Sequence, residues 1–140
     1  MKIGINASAQ LLFPTVDGLR AHARQAAADG FGGWWLAQTG LTDALTTFAA
    51  VAGDCPDIEL GTAVIPTFPR HPSALAAQAL TTQAVIGGRL TLGIGLSHKP
   101  AVEDRLGMAF ERPIRHLVDY LEILQGLLAE GRVSHRGEVF

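Results

Sequence analysis

Two runs of the chain, Ile58-Glu-Leu-Gly-Thr-Ala-Val-Ile-Pro-Thr-Phe-Pro-Arg-His-Pro72 and Arg89-Leu-Thr-Leu-Gly-Ile-Gly-Leu-Ser-His98, restrict the folds open to it more than any other feature. Each begins as an apolar strand and ends in polar, Gly- or Pro-rich residues, and an Ala/Leu-rich helical pattern joins them. Strand, helix and strand in that order make a βαβ unit, whose two strands run parallel. Both are apolar at nearly every position, as expected of strands covered on both faces. Their carboxyl ends carry Thr, Arg, Ser and His, which makes the chain read as part of an enzyme.

The same alternation runs from end to end. Lys2 to Ala7 reads as a short strand, and Thr15 caps a helix in which Val16, Leu19, Ala23, Ala26 and Ala27 recur at helical spacing. Gly30 ends that helix ahead of a second strand around Trp34 to Ala37. Asp43 caps a helix to about Ala52, with Gly53 and Pro56 as stop signals. The third strand is predicted over Ile58 to Ile65. Pro72 suits the first position of the next helix, which Gly87 and Gly88 terminate. The fourth strand is predicted over Leu90 to Leu96. Pro113 then opens a long helix with Ile114, Leu117, Val118, Leu121, Leu124 and Leu128 on one face, and Val133 to Phe140 reads as a hairpin turned at Arg136-Gly137. Four strand–helix repeats imply a parallel sheet covered by helices.

Composition narrows the class. A chain of 140 residues, 48% hydrophobic and 17% charged, suits one globular domain. A net charge of −2 gives no electrostatic case for nucleic acid, and no apolar run approaches a membrane span. The start, Met1-Lys-Ile-Gly-Ile5, lacks the pattern of a signal peptide, so a soluble cytoplasmic protein is expected. The single cysteine, Cys55, excludes an intrachain disulfide and reads as an inert thiol. His71 and His98 are not spaced as a metal motif, and no metal is expected; His22, His116 and His135 are expected to be solvated.

An open doubly wound sheet with a dinucleotide would want a Gly-rich turn directly after its first strand. Here that turn is Asn6-Ala-Ser-Ala-Gln10, and Gly93 and Gly95 lie inside a strand, so a barrel is the better closure. The order Gly30-Phe-Gly-Gly-Trp-Trp35, Gly61-Thr-Ala-Val-Ile-Pro66, Arg70-His71-Pro72 and Gly88-Arg-Leu-Thr-Leu-Gly-Ile-Gly-Leu-Ser-His98 resembles the luciferase-like monooxygenase superfamily, and within it the branch of oxidoreductases that use the deazaflavin coenzyme F420. The resemblance covers essentially the whole chain. It implies an α/β fold of the (β/α)8 TIM-barrel type, which typically takes ~250 residues. Residues 1–140 are therefore expected to be the N-terminal half of one such domain, about the first four β/α units, with the C-terminal half absent. A half barrel leaves its first and fourth strands as bare edges. It is expected to be marginally stable, to aggregate, or to form a homodimer.

The resemblance also implies a site at the carboxyl ends of the strands. His98 aligns with the position where a sugar-phosphate dehydrogenase of this branch carries a glutamate proton donor, and a histidine can exchange a proton near neutral pH. Ser97, Gln38, Thr62, Ala63, Val64 and Pro66 are the expected cofactor-binding residues. Many members have a bulge with a non-prolyl cis peptide where this chain reads Ala63-Val64. Gln38-Thr39 stands where the same dehydrogenase has an Asp-His pair, which argues against a sugar phosphate. Trp34 and Trp35 must point to opposite faces of their strand, one under helices and the other toward the barrel mouth. The expected function is F420-dependent hydride transfer to or from a small organic substrate. The alternatives are an FMN-dependent monooxygenase of the superfamily and a non-catalytic half-barrel subunit.

Overall fold

The computed structural model describes residues 1–11 and 14–140, which form two compact units, residues 1–65 with 81–93 and residues 66–80 with 94–140. The first unit holds a four-stranded parallel sheet in the order β1 (Gly4–Asn6), β2 (Gly33–Leu36), β3 (Glu59–Thr62) and β5 (Leu90–Thr91). Asn6, Trp35, Gly61 and Thr91 stand side by side across it. β1 and β5 are its edges, as the sequence implies for the first and fourth strands.

Two helices of this unit, α1 (Val16–Ala28) and α2 (Ala44–Val51), pack against each other. Thr15 and Asp43 cap them as predicted, accepting bonds from Gly18 N and Thr46 N at 3.1 and 2.7 Å. Trp34 is fully buried, donates Nε1 to His22 Nδ1 at 2.9 Å and meets Phe48 edge-on. Its neighbour Trp35 takes the opposite face. A Cβ at Gly4 or Gly33 would stand 2.6 or 2.8 Å from its indole nitrogen, and one at Gly61 would fall among its ring carbons. Three glycines on three strands thus make room for one indole.

Neither of the two long apolar strands is continuous. The third is divided into β3 and β4 (Ile65–Pro66), and the peptide between Ala63 and Val64 is cis. The fourth is divided into β5 and β6 (Ile94–Gly95). The break in the fourth strand has a local cause. The Thr62 hydroxyl donates to Gly93 O and accepts from Gly93 N, both at 2.8 Å, and so satisfies the groups a ladder would have used. Ile65 N also donates to Gly93 O, at 2.9 Å.

The helix α3 (Pro72–Val85) begins at the predicted proline and stops before Gly87 and Gly88, both at positive φ. In the second unit, β6 leads through a π-helical turn (Ala101–Arg105) to α4 (Pro113–Glu130), which ends on left-handed Gly131. The buried face of α4 is His116, Asp119, Tyr120, Ile123 and Leu124. Of the face read from the sequence, Leu124 is buried and Leu117 and Leu121 are half-buried, whereas Ile114, Val118 and Leu128 are exposed, Ile114 at 70%. Two polar residues turn the helix this way because each has a buried partner, described below. The hairpin expected at Arg136-Gly137 is absent: residues 133–140 form no strand. The N–H groups of Glu138 and Val139 go to the Asp119 carboxylate instead of to a partner strand. Among the described residues, no helix is long and apolar enough to cross a membrane.

Candidate active site

In the first unit, the loops leaving β2 and β3 carry four of the expected site residues. Their side chains are not equally available. The Gln38 amide is committed to its own loop, donating to Gly40 O and Thr42 O at 3.3 and 3.0 Å and accepting from Ala44 N at 3.0 Å. It braces the start of α2. Its backbone N–H donates to Val64 O at 3.0 Å, so the end of β2 holds the segment after β3. Thr62 is buried, with its hydroxyl spent on Gly93. Ala63 and Val64 are the exposed members, Val64 at 39%, and Ala63 N is fixed to Leu36 O at 2.8 Å. The end of β3 therefore presents the apolar side chains of Ala63 and Val64 on a hydrogen-bonded backbone.

A brace missing from the residue-by-residue reading lies at the end of β1. Asn6 Oδ1 accepts from both the amide and the hydroxyl of Ser8, at 2.9 and 2.5 Å. Ser8 Oγ in turn accepts from Ala37 N at 2.8 Å. The Asn-x-Ser order was its signal, since short polar side chains of this kind close local turns.

The second unit carries Pro66, Ser97 and His98. Pro66 and Ser97 are half-buried, and Ser97 takes a left-handed conformation with φ of 67°. His98 is exposed; its carbonyl accepts from Val102 N at 3.0 Å, which seats it at the entry to the π-helical turn. Its imidazole makes no hydrogen bond to the described residues.

The same unit contains a cluster that the sequence reading leaves out. His116 is 5% exposed rather than solvated, stacks on Phe68 at 4.1 Å with the rings 4° apart, and lies 3.1 Å from Thr67 Oγ1 through Nε2. Burial lowers its pKa, against the opposing pull of Asp119. Phe110 stacks on Phe68 at 4.9 Å. Tyr120 is fully buried beside it, and burial pushes its phenol up to about 12. His22 and His135 are not freely solvated either: His22 accepts from Trp34, and the His135 side chain is 13% exposed. Cys55 is buried 3.5 Å from Val51 O, and burial raises its pKa, as an inert thiol requires.

Asp119 organises the tail. It is 2% exposed, and its Oδ2 accepts from Glu138 N and Val139 N at 2.8 and 2.9 Å. The Val139 N–H is the main reason its pKa lies below the ordinary 3.8, with burial opposing and Glu138, Arg115 and His135 assisting. A depressed carboxyl contributes stability that is complete above the ordinary value and is lost as pH falls through the lowered one. The amide proton resonances of Glu138 and Val139 should therefore stay in place down to pH 3.8 and move together only below it. Asp119→Asn should remove that transition, and a transition that survives the substitution would assign it to another group.

Comparison with known proteins places these features. All of residues 1–140 match the family described as luciferase-like monooxygenase. A Mycobacterium tuberculosis protein, provisionally named a coenzyme F420-dependent oxidoreductase, is 32% identical over 98% of this chain, which spans 41% of that relative's length. Among solved structures, the FMN complex of the oxygenating constituent of 3,6-diketocamphane monooxygenase from Pseudomonas putida has a TM-score of 0.86 at 17% identity, over all of this chain and 43% of that one. The coenzyme F420-dependent tetrahydromethanopterin reductase of Methanopyrus kandleri has a TM-score of 0.76 at 22% identity, over 98% of this chain and 42% of that one. These likenesses establish an α/β fold of the TIM-barrel type, with about half a barrel's length in this chain.

Proposed function

This chain belongs to the luciferase-like monooxygenase family, and from that premise we propose that it is the N-terminal half of the barrel of a coenzyme F420-dependent oxidoreductase. One observation carries the cofactor reading. The Gln38 and Thr62 side chains at the carboxyl ends of β2 and β3 are spent inside the fold, and Ala63 and Val64 are exposed beside them. A fixed apolar surface fits the face of an extended ring better than it fits a polar ligand. The similarity to the F420-dependent relative over 98% of the chain supports F420 over FMN.

Bound F420 would exchange a hydride with the substrate at carbon 5 of its deazaflavin, giving it to a carbonyl or alkene or taking it from an alcohol. The protein's own share is orientation and proton management. Ala63 and Val64 would support the ring, and Thr62 and the Gln38 backbone would hold that support still; Pro66 and Ser97 are kept as cofactor-binding residues on the family resemblance. His98 supplies or accepts the proton that the substrate exchanges, which its exposed and unbonded imidazole leaves it free to do. The substrate is a small organic carbonyl, alcohol or activated alkene.

The protein that carries these residues should bind F420 at least about tenfold more tightly than FMN. His98→Ala should leave F420 binding within about twofold while turnover falls roughly 10²–10⁴-fold, the usual worth of a general acid or base. Preferential FMN binding with oxygen consumption would make the protein a flavin monooxygenase, the reading that the shared fold with the FMN-bound diketocamphane enzyme keeps in play. Binding of neither cofactor would leave a non-catalytic subunit.

A further inference from the structure

Asp119 and Glu122 stand three residues apart on α4, so both carboxylates leave the same side of the helix. His135, from the segment that follows, lies against both. One ligand atom from each of the three lies within 4.8 Å of the other two. We propose that Asp119, Glu122 and His135 form a site for a divalent cation of the zinc and cobalt class, which fastens residues 132–140 to α4.

The His135 ring sits at ion-pair distance from both carboxylates without a hydrogen bond to either. His135 Nε2 is 3.7 Å from Asp119 Oδ1, and Nδ1 is 3.3 Å from Glu122 Oε2. Both separations exceed the ~2.7–3.2 Å of an N–H···O bond. Nε2 is buried and has no hydrogen-bond partner among the described residues. Two ligands held at ~2.0–2.2 Å by one tetrahedral ion stand roughly 3.3–3.6 Å apart, close to the 3.7 Å between Nε2 and Asp119 Oδ1. One ion can take only one ring nitrogen. Nε2 is assigned, because it faces the fixed carboxylate; Glu122, 61% exposed, is the arm free to swing onto the ion.

The surroundings orient the ligands. Glu138 N and Val139 N hold Asp119 Oδ2 and leave Oδ1 directed at the imidazole, as hydrogen-bonded outer groups do around metal carboxylates. Gly137 permits the approach: a Cβ there would run into the Asp119 carboxylate and stand 2.5 Å from His135 Nε2. Arg115 competes weakly for Oδ1 at 3.9 Å, but its stronger contact is with Glu138 at 2.7 Å, where Arg112 also lies at 3.4 Å. One imidazole nitrogen and two carboxylate oxygens suit zinc or cobalt(II), whereas calcium and magnesium prefer oxygen alone. Water completes the coordination.

The test is calorimetric titration of the 140-residue chain with zinc chloride, repeated with cobalt(II) under visible absorption and followed by thermal melting. One equivalent should bind at micromolar concentration and raise the melting temperature by several degrees. His135→Ala should abolish both effects, and Glu122→Gln should weaken binding at least about tenfold. Glu122 is exposed, so that variant keeps the test usable even where His135→Ala fails to fold. Absence of binding up to millimolar zinc, or binding that Glu122→Gln leaves unchanged, would overturn the site.

Discussion

Gly93→Ala should be the most damaging small substitution in the chain, lowering stability by about 4 kcal/mol. The added Cβ would fall on the carbonyl oxygen of Thr62, a backbone atom that no side-chain rotation can move aside. Forced overpacking of this kind costs ~1–3 kcal/mol. The shift also pulls apart three hydrogen bonds, from Thr62 Oγ1 to Gly93 O, from Gly93 N to Thr62 Oγ1 and from Ile65 N to Gly93 O, each worth about 1 kcal/mol. The total approaches the entire stability of a small domain, so the variant is expected largely in the insoluble fraction. Gly53→Ala is the control, since nothing lies within 4 Å of its added carbon and it should melt within about 0.5 kcal/mol of the parent. Gly61→Ala should fall between them, because it meets the Trp35 ring, which can swing at a cost. Chemical denaturation of soluble Gly93→Ala that showed a loss below about 1 kcal/mol would mean the Thr62–Gly93 approach is slack.

The three glycines illustrate what the sequence could and could not disclose. The alternation of strand and helix, both N-caps and the proline and glycine punctuation were legible, because each depends on neighbours within about four residues. The division of the two long strands was not. It depends on a hydroxyl meeting a backbone 31 residues away, and an apolar run gives no hint of that. The orientation of α4 was legible only in part for a related reason. Counting apolar residues finds Leu124, which is buried, but also Ile114, Val118 and Leu128, which are exposed, and it passes over His116 and Asp119, which go inside because Thr67 and the tail amides satisfy them. The same accounting reshapes the site. Gln38 and Thr62 stand at strand ends, as the family resemblance implies, yet their side chains are consumed in bracing the loops. What they leave exposed, Ala63 and Val64, carries no polar signal at all.

Arg89→Met should destabilise the first unit by about 3 kcal/mol and expose the only thiol. The Arg89 guanidinium reaches four carbonyls: Cys55 O and Ile58 O at 2.7 Å through Nη1, Ala52 O at 3.1 Å through Nη2, and Ile86 O at 2.9 Å through Nε. Three of these carbonyls belong to the loop between α2 and β3, and the fourth to the end of α3. One planar fork thereby fixes a stretch whose only regular structure is the short 3-10 turn Ala52–Asp54. Charged hydrogen bonds are worth ~1.5–3 kcal/mol each when dry, and the half-buried setting of Arg89 reduces that, so four together justify the smaller total. Lysine offers a point charge in place of a fork, so Arg89→Lys should recover less than half of the loss. Cys55 lies within this loop, fully buried, and is the sole cysteine of the chain. Its labelling by an aromatic disulfide therefore reports opening of the loop without interference. A 3 kcal/mol loss corresponds to labelling about 100-fold faster in Arg89→Met than in the parent, provided opening and closing outrun the chemistry. Unchanged labelling alongside a lowered melting point would show that Arg89 supports the sheet as a whole while the loop holds itself closed.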